Sequence, residues 1–373
     1  MKANALSLYN LYKYPRPVFS STNNTGNDSV QGFKIEKNNM MAHINALCTP
    51  ETQGREVGEE GIKIAEKYIT EQYKIIGLKP LKMLGLNSYY QLFSFMRLKK
   101  IIKPIDYYIK AVYDFRSSNN KDKEVQANNI LGMIQGTDNT DEYLIISAHF
   151  DHMCTDTNTI KIFPGADDDA SGIAAMIEMA KYFKKNPPKK NIIFAALSGE
   201  ESWGKGAEAF SDLLIKKRLD NKVDVLNIEL LGAVEKDSYN LELWFNEQNT
   251  CPVELCKSIF NIATNSSMPP YQSNLNPPKT DAFIFAQKGI RAVTAALSTK
   301  FPSPAHPQLH TNYDCPCMIN QDAMANAASI LLAGASDFAN NSSKITSFKG
   351  SFNKIEPAVH KQQALKLNLS AYS

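Results

Sequence analysis

Two short apolar runs, Tyr143 to Ala148 and Asn191 to Leu197, constrain this chain more than any other feature. Neither alternates polar with apolar residues, so each reads as a strand buried on both faces, the habit of a parallel sheet. Between them, Ser171 to Lys185 spaces Ile173, Met176, Ile177, Ala180 and Phe183 along one helical stripe, with Ser171-Gly172 at its start. Strand, loop, helix and strand make one crossover unit, right-handed by default. In open sheets of this kind ligands collect outside the carboxyl ends of the strands. The polar residues fall there: His149-Phe-Asp151-His152 closes the first run, Asp167-Asp168-Asp169 precedes the helix, and Gly199-Glu200-Glu201 follows the second run.

An imidazole converging with several carboxylates suits zinc, which takes nitrogen and oxygen ligands and keeps an open position where it is catalytic. Residues two apart in an extended segment face the same way, so Asp151 is expected to hydrogen-bond the far ring nitrogen of His149 and fix its tautomer. Adjacent residues at a strand end point apart. Of Glu200 and Glu201, then, one is free to bind metal while the other takes a proton from water. Each feature alone has a plainer explanation: a polar histidine, an acidic helix cap, a solvated glutamate pair. Together at two neighbouring strand ends they would be mutually repelling buried carboxylates, and a cation resolves that.

His149-Phe-Asp151, Gly165-Ala-Asp-Asp168-Asp-Ala-Ser-Gly172 and Gly199-Glu200-Glu201 resemble, in order and spacing, the signature of the co-catalytic di-zinc exopeptidases, metallopeptidase family twenty-eight. That family includes leucyl-type aminopeptidases, aminopeptidase Y and glutamate carboxypeptidase. The resemblance covers roughly residues 40 to 340 and includes the Gly54-Arg55 turn before the first long helix. It implies an α/β fold of the zinc-dependent exopeptidase type, with a mixed, mainly parallel central sheet and helices on both faces. It implies two zinc ions per chain: His149 on one, Asp168 bridging both, Glu201 on the other, Asp151 orienting His149, and a cis peptide between Asp168 and Asp169. Glu200 is implied as general base toward a water held between the ions. In Val225-Leu-Asn-Ile-Glu229-Leu-Leu-Gly232 the family carries a ligand, usually Asp, where this chain has Glu229. His310-Thr-Asn-Tyr-Asp314 resembles the family's His-Thr-x-x-Asp, which makes His310 the last ligand, beside Glu201. Thr280-Asp281 resembles a Ser-Asp-His element with Ala282 in place of the histidine, so Asp281 is expected behind the ligands or in the pocket wall.

The activity so implied is that of an aminopeptidase removing N-terminal residues from peptides. Two other readings stand beside it. Glutaminyl-peptide cyclases share the fold and motif order with a single zinc, and Leu230-Leu231-Gly232-Ala233 and Trp203 resemble them; the Asp168-Asp169-Ala170-Ser171-Gly172 loop is that of a peptidase. A non-catalytic metal-binding interaction domain is opposed by the presence of a metal-competent side chain at every ligand position.

The remaining chain divides into a flexible lead-in (1–37), the zinc peptidase domain (38–340) and a polar tail (341–373), in which Ile355 to Leu369 is expected to dock. A net charge of +3 with Lys pairs scattered between elements argues against nucleic acid as a partner. No stretch is long and apolar enough to span a bilayer, and residues 1 to 30 lack a signal-peptide core; an extracytoplasmic home is implied only by the resemblance. Oligomeric state is left open. The six cysteines show no Cys-x-x-Cys spacing; Cys315-Pro-Cys317 is expected to be too close for a relaxed bridge, and Cys154 to be a thiol near the site. His306 is expected at a solvated pocket rim. Further helices are expected over Met41–Leu47, Gly61–Gly77, Gly206–Lys217, Cys251–Asn265, Ala282–Gly289 and Asp322–Phe338. Further strands are expected over Tyr89–Met96, Asp106–Tyr113, Asn129–Gln135 and Arg291–Ala296, with one long loop from Asn265 to Lys279.

Overall fold

In the computed structural model the described residues are 32–97, 123–153, 162–234, 239–245, 250–266, 268, 270–273, 279–299, 306 and 308–341. In chain order they form α1 (Lys37–Leu47), α2 (Glu60–Ile76), β1 (Tyr90–Arg97), β2 (Lys123–Ile134), β3 (Tyr143–His149), α3 (Ser171–Lys185), β4 (Asn191–Leu197), α4 (Lys205–Lys216), β5 (Val223–Ile228), β6 (Tyr239–Trp244), α5 (Val253–Thr264), β7 (Pro270–Ser273), α6 (Asp281–Gln287), β8 (Arg291–Thr299) and α7 (Gln321–Asn340). The expected strand Asp106–Tyr113, Cys154, the docking tail and most of the lead-in lie outside the described residues.

The strands make one eight-stranded sheet in the order β1-β2-β4-β3-β5-β8-β6-β7. Its centre, β4-β3-β5-β8, is parallel, while β2 on β4, β1 on β2 and β6 on β8 are antiparallel. Every residue of β3, β4 and β5 is buried. That is why their sequences do not alternate: both faces of the sheet are covered. On one face Leu144, Ile146, Ala148, Ile192, Phe194 and Ala196 pack with α1, α2, α3, α5 and α7. On the other, Ile145, Ile193, Ala195 and Leu197 pack with α4 and α6 through Phe210, Leu214 and Phe285. The fold class read from the sequence is the one observed.

Helix α2 stops where Gly77 takes φ 80 and donates its N–H to Tyr73 and Lys74 carbonyls, the left-handed cap its sequence calls for. Two strands differ from the sequence reading. β7 lies inside the expected Asn265–Lys279 loop; it starts at Pro270 and runs along the sheet's edge, where a missing N–H costs no ladder bond. β6, not expected from the sequence, carries Leu241 and Leu243 buried with Glu242 half-buried between them, a period-two pattern only a few residues long. Among the described residues no helix is long and apolar enough to cross a membrane.

Asn129 ties the sheet to the turn beyond β4. It is fully buried; its Nδ2 donates to Gln91 Oε1 (2.9 Å) and the Gly206 carbonyl (2.8 Å), and its Oδ1 accepts from Ser198 N (3.0 Å). Asn129→Leu leaves the Ser198 N–H, the Gly206 carbonyl and the Gln91 amide oxygen without this partner, so a loss of about 3 kcal/mol is expected. Urea unfolding checks this as a lower midpoint at unchanged slope.

Candidate metal centre

The parallel strands deliver their chemistry at one edge. β3 ends in His149, Phe150 N donates to the Leu197 carbonyl (2.9 Å), and Asp151 and His152 follow, both buried. Gly199, at φ 83, turns the chain beyond β4 and presents Glu200 and Glu201. Glu229 comes directly after β5, its N–H on the Ala295 carbonyl (3.1 Å). His310 enters from the loop after β8.

One residue holds these pieces together from behind. Arg55 is fully buried; its Nε donates to the Phe150 carbonyl (2.8 Å), Nη1 to those of Leu47 (2.8 Å) and Pro164 (2.6 Å), and Nη2 to that of Gly165 (2.8 Å). The exit of β3 is thereby fastened to the start of the Asp triplet. Gly54 beside it is obligatory, since φ is +80 and a Cβ would lie 2.2 Å from the Met153 carbonyl oxygen.

Each Asp of the triplet has its own task. Asp167 accepts from Gly232 N (2.5 Å) and meets His306 Nδ1 at 2.6 Å. Asp169 accepts from Gly172 N (3.0 Å) and His149 N (3.2 Å), so the helix-cap role falls to it. Asp168, joined to Asp169 by a cis peptide, faces the histidines. Its Oδ1 is 3.0 Å from His149 Nε2; its Oδ2 is 3.1 Å from His310 Nε2 and 3.4 Å from His152 Nδ1. Glu201 Oε1 stands 3.1 Å from both His152 Nδ1 and His310 Nε2. Two groups of ligand atoms result, each within 4.8 Å: His149, Asp168 and Glu229, and His152, Asp168 and Glu201. His149 Nε2 and both ring nitrogens of His152 are buried without a hydrogen bond. Buried nitrogens that face carboxylates yet bond to none fit cations held between them.

A sequence profile of peptidase family M28 matches residues 129–335. The chain belongs to this family. A probable zinc metalloprotease of Pyricularia oryzae is 31% identical over 126 residues, 32% of this chain and 25% of that protein. The chain's match thus spans about a quarter of the length of such curated relatives. Among solved structures, a zinc aminopeptidase from Bacillus subtilis superposes with a TM-score of 0.63 at 15% identity, over 85% of this chain and 98% of that one. The glutaminyl cyclase of Fimbriiglobus ruber gives 0.59 at 17% identity, over 86% and 98%. Both share the fold.

Within this M28 chain several residues stand otherwise than the sequence suggests. His149 Nδ1 is bonded to the backbone carbonyl of Asp151 (3.1 Å), while the Asp151 carboxylate is 3.6 Å away, beyond hydrogen-bond length. That carboxylate instead accepts the N–H groups of Glu200 (3.1 Å) and Glu201 (3.3 Å), bracing one strand end against the other. His306 is buried, not solvated, with Nε2 on the Leu297 carbonyl (2.8 Å) and Nδ1 on Asp167. Cys315 and Cys317 are bridged across the tight turn Pro316–Met318, with Cα atoms 5.3 Å apart. Asp314, just before it, accepts from Asp167 N (2.8 Å) and Asp168 N (3.1 Å). Asp281 is fully buried at the start of α6 with neither oxygen hydrogen-bonded. His152, which the sequence does not mark as a ligand, follows Asp151 directly but lies outside the family motif.

Charge explains the titration of the M28 site. Burial, reinforced by neighbouring carboxylates, pushes Glu229 up to about 8, Asp281 to about 7 and Asp314 to about 6, and drives Glu200 and Asp169 well above the carboxylate range. Asp168 and Glu201 are also opposed by burial, but His152 and His310 beside them hold both below it. His149, His152, His306 and His310 are raised, their carboxylate neighbours outweighing burial.

Glu229, Asp281 and Asp314 have ordinary values of 4.5, 3.8 and 3.8, below their folded values, so across that interval the folded chain binds more protons and loses stability as pH rises. The raised histidines act the same way: their contribution is full below 6.5 and lost as pH climbs through their folded values. Depressed Asp168 and Glu201 oppose this only below about pH 4, where their unfolded forms protonate. Metal-free protein is therefore expected to melt several degrees lower at pH 8 than at pH 6, and divalent metal to raise the melt more at pH 8. Calorimetry with and without chelator checks both.

Proposed function

We propose that this chain is a zinc-dependent exopeptidase, an aminopeptidase that hydrolyses N-terminal residues from peptides and uses two zinc ions. The observation that carries this reading is Asp168, whose two oxygens face separate imidazole and carboxylate groups. A carboxylate so placed supports a bridge between two ions. Imidazole in each group favours zinc over magnesium or calcium. Such ions supply Lewis acidity and positive charge where a scissile carbonyl oxygen turns anionic.

The chain's own residues divide the remaining work. His149 and Glu229 would hold one ion with Asp168, and Glu201 and His310 the other. Glu200 belongs to neither group of ligand atoms. It is the residue that takes a proton from the attacking water and passes it to the leaving amine. The Asp151 carboxylate, on the N–H groups of Glu200 and Glu201, keeps base and ligand in fixed relation. The paired groups favour a hydrolase over a one-zinc cyclase. The Cys315–Cys317 disulfide supports an extracytoplasmic home. Nothing in the charge balance, +3 overall, favours nucleic acid.

Zinc-loaded protein assayed on free and N-blocked peptides, with glutaminyl peptides included, tests this. Free amino acids released only from unblocked peptides are expected. Release from blocked peptides with a free C-terminus would make it a carboxypeptidase, ammonia from glutaminyl peptides a cyclase, and inertness on all of them an interaction domain. In the same assay Glu200→Gln is expected to keep its metal and KM while kcat drops by about 10²- to 10⁴-fold; a near-wild-type rate would remove Glu200 as the base.

A further inference from the structure

His152 belongs to neither the family motif nor the ligand set proposed above, yet it contributes a ligand atom to the second cluster, with Asp168 and Glu201. We propose that His152 is a fourth protein ligand of the site made by Asp168, Glu201 and His310, and that this site is the tighter of the two. The inference rests on the reading of the centre as a metal site.

Distance is the first argument. His152 Nδ1 and His310 Nε2 each approach both Asp168 Oδ2 and Glu201 Oε1, at 3.4 and 3.1 Å for His152 and 3.1 and 3.1 Å for His310. Ligand atoms placed tetrahedrally around zinc at bonds of about 2.0 to 2.1 Å stand roughly 3.3 Å from one another. The four measured edges lie within a few tenths of an ångström of that value.

Direction is the second. A separation of 3.1 Å is short enough for a hydrogen bond, yet His152 Nδ1 makes none. Length does not prevent it, so angle does: the ring N–H direction is not aligned on either oxygen. A hydrogen-bonded structural histidine would do the opposite.

The third argument is that the chain makes room for this ring. Gly165 sits at φ +62, and a Cβ there would fall 2.6 Å from His152 Cγ and 2.7 Å from Arg55 Nη2. From the other side His152 N donates to the Arg55 carbonyl at 3.3 Å. The ring is thus held between the buried Arg55 turn and the loop carrying Asp168.

The two sites then differ. One has a single imidazole, His149, with carboxylates from Asp168 and Glu229; the other has two imidazoles and two carboxylates. Two imidazoles and a fuller protein shell favour zinc there, so the first equivalent enters the site of His152. The His149 site, with three protein ligands, fills second and keeps the open position.

Zinc K-edge X-ray absorption on the full chain at one equivalent reads the answer directly. Two imidazoles per zinc are expected in the wild type and one in His152→Ala. In parallel, zinc titration against a competing chelator is expected to show the tighter of two affinities falling by more than about 100-fold in His152→Ala, beyond what loss of a group merely behind a ligand costs. His149→Ala should weaken the other affinity instead. If His152→Ala does not fold, judged by circular dichroism, His152→Gln replaces it, and the wild-type imidazole count needs no variant at all. One imidazole per zinc in the wild type at one equivalent, or unchanged affinities in a folded variant, overturns the proposal. Uptake of two ions with peptide hydrolysis but a single imidazole at the first would sink this inference alone, whereas no zinc uptake would sink the functional reading with it.

Discussion

Like-charge repulsion among buried carboxylates is the constraint on which the rest of this structure depends. Asp151, Asp167, Asp168, Asp169, Glu229, Asp281 and Asp314 are all buried, in the segments after β3, β5 and β8 and, for Asp281, at the start of α6. The chain separates them by giving most a private partner. Asp151 takes two backbone N–H groups at the Glu pair, Asp167 takes His306 and Gly232, Asp169 caps α3, and Asp314 takes two N–H groups of the triplet. Asp168 and Glu201 face His152 and His310, which hold both carboxyls low. Glu229, on Asn227 Nδ2 at 3.1 Å, and Asp281 are acids that burial leaves raised, and a cation beside them would relieve that.

The sheet makes that concentration possible. Parallel strands bring their carboxyl ends to the same edge, so residues far apart in sequence meet without any long excursion of the chain. β3 and β4 are adjacent and in register, His149 opposite Leu197, so the residues just beyond each, Asp151 and Glu200, come within hydrogen-bond reach. A one-residue slip would turn these side chains to the opposite face. With both faces buried, alternation does not set this register; bonds past the strand ends, Phe150 N on the Leu197 carbonyl and Glu200 N on Asp151, hold it.

Much of this was legible in the sequence because the central strands are uniformly apolar and the polar residues sit immediately past their ends. The helix between them, its boundaries and the α/β class follow from periodicity alone. What stayed hidden depends on three-dimensional placement. Whether Asp151 uses its carboxylate or its carbonyl toward His149 is a matter of a few tenths of an ångström. His306 and Cys315–Cys317 lie in a Pro-rich stretch whose turns no periodicity predicts. His152 follows Asp151 directly, and only the fold of the Gly165 loop over it turns that adjacency into convergence with Glu201 and His310.

Arg55 carries one more consequence. It clamps the β3 exit to the Asp loop across sequence separations of 95 to 110 residues, and it lies well before residue 129, where the family match begins. The ligands and the device that restrains them therefore occupy different parts of the gene's reading frame. A fragment cut at the edge of the recognisable family region would retain each proposed ligand and surrender the guanidinium that fastens their loops, so the working unit of this protein is larger than its recognisable signature.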